Sequence, residues 1–226
     1  MFNRGLGSSV PNMIISPGRS YIFVHIPKTG GTSMALALEG RVMKDDILIG
    51  DTPKAKRRRK RLEGAKTVGR LWKHSTLADI DGLISPEEID RAFVFTLVRN
   101  PWDRMVSYYH WLQAQTFEHP AVNLAKEVDF STFLNAPATQ AAMRAAPYRH
   151  YVTDAKGQER CDAFIRLEHL ETDGAPLWKH LGFRLDLPVH NRSNRESDYR
   201  QYYSQDDSDL VKSLFDHDIA RFGYAY

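Results

Sequence analysis

The stretch Tyr21-Ile-Phe-Val-His-Ile-Pro-Lys-Thr-Gly-Gly-Thr-Ser33 decides the fold. Tyr21–Ile26 is β-branched and aromatic, which predicts a strand buried on both faces, with Pro27 bounding it downstream. Thr32–Glu39 (TSMALALE) has high helix propensity and is closed by Gly40, which predicts a short helix. The residues between them have the properties of an anion site. Gly30 and Gly31 let the backbone turn tightly and expose N–H groups, and the following helix presents the positive end of its dipole to the same point. Lys28 adds a full charge, and Thr29, Thr32 and Ser33 add hydroxyl donors. In a Walker A loop the lysine follows the last glycine of GxxxxGK, whereas Lys28 precedes both glycines, so an ordinary ATPase or kinase is not indicated. The plain alternative is a strand that turns into a helix through two glycines.

A second stretch, Phe93-Val-Phe-Thr-Leu-Val-Arg-Asn-Pro-Trp-Asp-Arg-Met-Val-Ser-Tyr-Tyr-His-Trp111, repeats the arrangement. Phe93–Val98 reads as another buried strand. Asn100 as N-cap and Pro101 at the first helical position open a helix that runs to about Gln113. Arg99 stands where the strand leaves the sheet, and Ser107 lies about two turns into the helix. A guanidinium and a hydroxyl so placed can converge on one further phosphate. The alternative is that Arg99 pairs with an acidic neighbour and Ser107 only fills the helix surface.

Working outward, Ser85-Pro86-Glu87-Glu88 is a helix start with a capping box. Phe164–Glu168 reads as a third, shorter strand, followed by a helix near Ala175–Leu181 that Gly182 ends. Leu210, Val211, Leu214, Phe215, Ile219 and Phe222 recur at helical spacing, so the chain should end in one amphipathic helix. Residues 1–19 read as an irregular lead-in and residues 50–66 as an exposed basic loop. Strands alternating with helices predict the α/β class: a P-loop-like three-layer domain over residues 1–226, with a central, mainly parallel sheet flanked by helices. Its ligand should sit beyond the carboxyl ends of the strands.

The chain has 226 residues, 42% of them hydrophobic, enough to fill such a core and to exclude a disordered chain. Its net charge is +3, but KAKRRRKR at 54–61 holds seven of its 31 basic residues, and the rest of the chain is slightly acidic. That concentration argues against a chain-wide affinity for nucleic acid and allows three local readings. The run is a lid that attracts an anionic acceptor, a nucleic-acid contact, or a solvated loop. No apolar run reaches the roughly 18 residues of a membrane span, and residues 1–20 contain no apolar signal core. A single cysteine, Cys161, excludes an intramolecular disulfide and a Cys-rich zinc site. The expectation is a soluble, cytoplasmic protein without a metal centre.

Together PKTGGTS and RNPWDRMVSYY resemble the 5′-phosphosulfate loop and the 3′-phosphate site of the sulfotransferases. The resemblance is to the branch that holds the heparan-sulfate 2-O-sulfotransferases and many small bacterial enzymes. It extends to His74 in LWKHSTLADI, to FIRLEHLE at 164–171, and to LPVHNRSNRESDYRQYYSQDD near the end of the chain. It implies 3′-phosphoadenosine 5′-phosphosulfate (PAPS) as donor and 3′-phosphoadenosine 5′-phosphate (PAP) as product. In-line transfer would then proceed without a catalytic metal. Lys28 would balance charge on the bridging oxygen, and the backbone of residues 29–33 would hold non-bridging oxygens. His74 would serve as general base, Arg99 and Ser107 would hold the 3′-phosphate, and Asn191, Arg192 and Ser193 would add nucleotide contacts. A single histidine stands at 74 where the heparan enzymes carry a close pair. The branch points to a carbohydrate hydroxyl as acceptor, with a small metabolite, lipid or amine also open, and with contacts from loops near 45–75 and 115–150. Trp72, Trp102 and Trp111 are either core residues or stacking platforms for a sugar or an adenine. Two other classes compete: a variant P-loop phosphotransferase, and a non-catalytic binder of the bisphosphate nucleotide or of an acidic polymer.

Overall fold

In the computed structural model, which describes residues 12–187 and 196–226, five strands form one sheet in the order β3-β1-β2-β4-β5. They are β1 (Met13–Ser16), β2 (Tyr21–Val24), β3 (Ile47–Ile49), β4 (Phe93–Val98) and β5 (Ala163–Arg166). The three strands β2, β4 and β5 are parallel, with Phe23 opposite Phe95 and Phe95 opposite Ala163. The other two extend the sheet antiparallel, β1 on β2 and β3 on β1. The sheet is therefore mixed, and its parallel half carries the two glycine- and arginine-bearing strand ends.

Strand alternation divides the core. Ile22, Val24, Val94 and Val98 face one side, where they meet Leu77, Ile80, Tyr148 and Val152. Tyr21, Phe23, Phe95 and Leu97 face the other, against Met34, Ala35 and Leu38 of α1 (Gly31–Glu39). Both faces are covered, as an α/β sheet requires. After α2 (Pro53–Arg58) and α3 (Pro86–Arg91) comes α4 (Pro101–Gln113), which leaves β4 directly. It joins α5 (Pro120–Glu127), α6 (Phe130–Asn135) and α11 (Gln205–Leu214) in a third, helical core around Trp102, Tyr109, Phe133 and Val211. The remaining helices are α7 (Pro137–Ala145), α8 (Tyr148–Tyr151), α9 (Leu170–Asp173), α10 (Ala175–Leu181) and α12 (Asp216–Phe222).

Caps at α3 and α4 form as their residues dictate: Ser85 and Glu88 make a reciprocal capping box, and the Asn100 side chain accepts from the N–H groups of Trp102 and Asp103. Three expectations need correction. Residues 13–16, read as part of an irregular lead-in, are β1; Met13-Ile-Ile-Ser16 turns through Pro17–Ser20 and pairs back on β2, a hairpin whose Pro-Gly turn stood in the sequence. Residues 50–66 are not one open loop. Thr52 caps α2 by accepting from Ala55, with Pro53 behind it, and a 3₁₀ turn follows at Arg59–Leu62. Four cations of the basic run are bonded within the fold: Lys54 to the Glu39 carbonyl, Arg58 to the Met43 carbonyl (2.8 Å), Arg61 to the Asp46 carbonyl (3.0 Å) and Arg59 to Asp51 (2.9 Å). Finally, the single terminal helix is two, α11 and α12, separated at Phe215. Among the described residues no helix is long and apolar enough to cross a membrane.

Candidate active site

The carboxyl ends of the three parallel strands meet at residues 25–33. The loop is bent by Lys28, whose φ of +66° is costly for a side chain with a Cβ, and by Gly30 at φ +85°. A Cβ on Gly30 would lie 2.7 Å from Leu167, just past β5. One on Gly31 would fall 1.9 Å from Cδ2 of His25, so the imidazole occupies the space that a side chain at the first residue of α1 would need. No side chain caps α1 and no acidic residue sits in its first turn. Ser33 N–H turns back to the Gly30 carbonyl at 3.1 Å. A helix start left in this state can receive an anion. Thr29 is wholly buried, and its hydroxyl donates to the Ile26 carbonyl at 3.0 Å, so its proton closes the loop from within.

Arg99 reaches the same loop from the end of β4. Its Nε and Nη2 pair side-on with Asp103, at 2.7 and 2.5 Å, and Nη1 donates to the Lys28 carbonyl at 3.3 Å. The acidic neighbour that the sequence offered as the alternative is present, and the guanidinium paired with it also reaches the lysine loop. Three of its five N–H groups are used in these bonds. Its backbone is held by Tyr148, whose hydroxyl donates to the Arg99 carbonyl at 2.6 Å, while Asn100 N–H donates to Glu168 at 2.7 Å. One face of α4 runs along the loop. Arg104 Nε donates to the Pro27 carbonyl at 3.1 Å, and the Trp111 ring lies 5.4 Å from Lys28 Nζ. Helical spacing puts buried Ser107 on that face between these two contacts.

His74 approaches from the loop before α3. Its Nδ1 lies 2.8 Å from the His25 carbonyl. A carbonyl only accepts, so Nδ1 carries the hydrogen and Nε2 keeps its lone pair. The two imidazoles lie 4.6 Å apart between centroids, and Trp72 packs edge-on against His74 at 5.1 Å. Where the sequence shows one histidine at 74, the fold therefore supplies a second from position 25. Burial pushes His74 down to about 3, with Lys73, Arg104 and Lys28 acting the same way and the bond to His25 opposing. His25, buried, is also held well below the usual histidine range, first by desolvation.

The structure thus brings together Lys28, Thr29, Gly30, Gly31, Thr32, Ser33, Arg99, Ser107 and His74. Asn191, Arg192 and Ser193 lie outside the described residues. His25, Arg104, Asp103 and Tyr148 escaped the sequence reading; only the Arg104–Ser107–Trp111 spacing on one helix face hinted at any of them.

The two low histidines set an acid limit on stability. Their folded pKa values lie below the unfolded value near 6.5, so the unfolded chain takes up protons first as pH falls. Their contribution is complete above about 6.5 and is lost toward lower pH, with a slope of up to about 1.4 kcal/mol per pH unit for each group. Glu39 and Asp218, whose burial raises their pKa, act in the opposite sense. Urea unfolding at pH 7 and 5.5 should show the wild type losing stability, and His74→Gln losing less. Equal slopes for the two proteins would contradict the neutral, buried state of His74.

A glycine-built anion loop at the mouth of parallel strands, met by a neutral imidazole, places the molecule among P-loop-like group-transfer enzymes. The group is defined by comparison with known proteins: the model of the sulfotransferase family matches residues 11–225, and the chain belongs to that family. Among solved structures it is similar to mouse sulfotransferase SULT7A1 complexed with PAP (13% identity, TM-score 0.44, 91% of this chain and 85% of that one). A second is retinol dehydratase in complex with androsterone and inactive cofactor PAP (15% identity, TM-score 0.26, 73% and 57%). No curated protein matches the chain.

Proposed function

We propose that the enzyme moves the sulfuryl group of PAPS to an acceptor hydroxyl, on a carbohydrate, by in-line displacement with His74 as general base. The observation that supports this reading best is the bond from His74 Nδ1 to the His25 carbonyl, which leaves Nε2 as a lone pair beside the lysine loop. Bound PAPS supplies the activated sulfur. Nε2 of His74 takes the acceptor proton as the new O–S bond forms. Lys28 balances the charge that gathers on the bridging oxygen as the old S–O bond breaks. The first-turn N–H groups of α1, with Thr32 and Ser33, hold non-bridging oxygens, and Arg99 and Ser107 hold the 3′-phosphate. The chemistry is positioning and charge stabilisation, as in phosphoryl transfer. The acceptor enters from the side of His74, where Trp72 is 45% exposed. We assign the enzyme to the cytoplasm on its single cysteine.

Arg99 is the residue through which the donor is tested. Calorimetry with PAP should show Arg99→Ala binding about 10–100-fold more weakly, the scale of a lost charge-assisted hydrogen bond. Equal affinity before and after the change would remove Arg99 from the nucleotide site.

A further inference from the structure

Arg104 is a buried cation that the proposed reaction leaves unused. It is 5% exposed, on the face of α4 that borders the loop. Nε is taken by the Pro27 carbonyl at 3.1 Å, and the guanidinium lies 4.7 Å above the Tyr148 ring. Its charge also acts on the Tyr151 phenol, opposing the rise that burial causes there. Nη1 is buried and has no partner. Among the described residues no carboxylate pairs with Arg104; buried Asp218 feels its charge only at longer range. A guanidinium withdrawn from water without a counter-ion is costly unless a ligand completes it. Its surroundings indicate which ligand. Pro27 immediately precedes Lys28, and the positive charge of Arg104 is felt at His74. Arg99 also touches the loop, at the Lys28 carbonyl, but of the two arginines it is Arg104 whose charge acts on His74, so an anion that satisfies Nη1 lies on the His74 side of the loop.

We infer that Arg104 is a further cation of the reaction centre, whose Nη1 donates to an oxygen of the sulfuryl group in bound PAPS. This rests on the donor reading above and adds to it which part of the donor the residue recognises. With Nε fixed by Pro27 and its face over Tyr148, the planar guanidinium keeps one orientation, so only the cover over Nη1 has to shift for it to donate to a sulfuryl oxygen.

The product PAP lacks the sulfuryl group, so comparing the two nucleotides isolates the contact. Calorimetry with PAPS and PAP, without acceptor, is run on the wild type, Arg104→Gln and Arg104→Lys. The expected result is a tenfold or greater loss of PAPS affinity in Arg104→Gln, with PAP affinity within twofold of wild type. Arg104→Lys keeps a charge without the planar fork and should lose less PAPS affinity. If Arg104→Gln does not fold, the lysine variant carries the test alone, and a selective loss for PAPS is still required. Equal losses for both nucleotides would reduce Arg104 to a support for the loop and overturn the assignment, as would no loss for either. A wild-type chain that binds PAP but shows no preference for PAPS over it overturns the Arg104 contact alone. One that binds neither nucleotide overturns the donor reading and this inference with it.

Discussion

His74→Ala is expected to lower kcat by about 10²–10⁴-fold, the contribution of a well-placed general base. Geometry supports the size of the effect. Nδ1 is committed to the His25 carbonyl, so the ring is held in one tautomer and the basic nitrogen needs no rearrangement before it takes a proton. The pH dependence follows from the sign of the shift. In the free enzyme His74 is pushed down to about 3 by burial and by nearby cations, so the neutral base persists well below pH 6.5. The acid limb of kcat/KM for the donor, which reports the free enzyme, should therefore lie far below the ordinary histidine value. Once the donor is bound its negative charge offsets Lys28, Lys73 and Arg104, and the limb seen in kcat should move upward. Rapid-mix assays with labelled PAPS across pH 5–8 check both statements. An acid limb in kcat that survives unchanged in His74→Ala would end the base assignment.

Lys28→Ala is expected to lower turnover by about 10²–10³-fold, the usual cost of removing one preorganised donor from a developing negative charge. The position needs care, because Lys28 has φ +66° and a substitution could act through the backbone. Lys28→Gly separates the two causes. Glycine relaxes the strained turn while removing the same ammonium, so charge loss predicts that both variants are equally impaired. PAP affinity should fall less than turnover in each, since the charge being balanced appears only as the sulfuryl group leaves. Near-normal turnover in either folded variant, measured at saturating donor, would exclude the role.

The two chemical motifs were legible because each is local. PKTGGTS joins a strand to a helix, and RNPWDR carries its own cap, so short-range backbone chemistry specifies both, and α4 runs over Pro101–Gln113 as its capping residues require. Local reading failed where its cues conflicted or stopped short. The charge of residues 54–61 hid the Thr52-Pro53 helix start, and a short apolar run at 13–15 was passed over although a Pro-Gly turn returned it to β2.

By itself the amino-acid order determined the strand–loop–helix units, the α/β class and the tight glycine turn of residues 27–33, because glycine, proline and capping residues act within a few positions of themselves. Only the tertiary structure decided that Arg99 reaches the Lys28 carbonyl 71 residues away. It alone set His25 against His74, 49 residues apart, and left Arg104 buried with an unsatisfied donor. Those relations arise from the register of β2 on β4, the packing of α4 along the loop, and the return of the segment before α3 onto His25. No stretch of chain carries a local signal for a contact whose partner is supplied by the sheet.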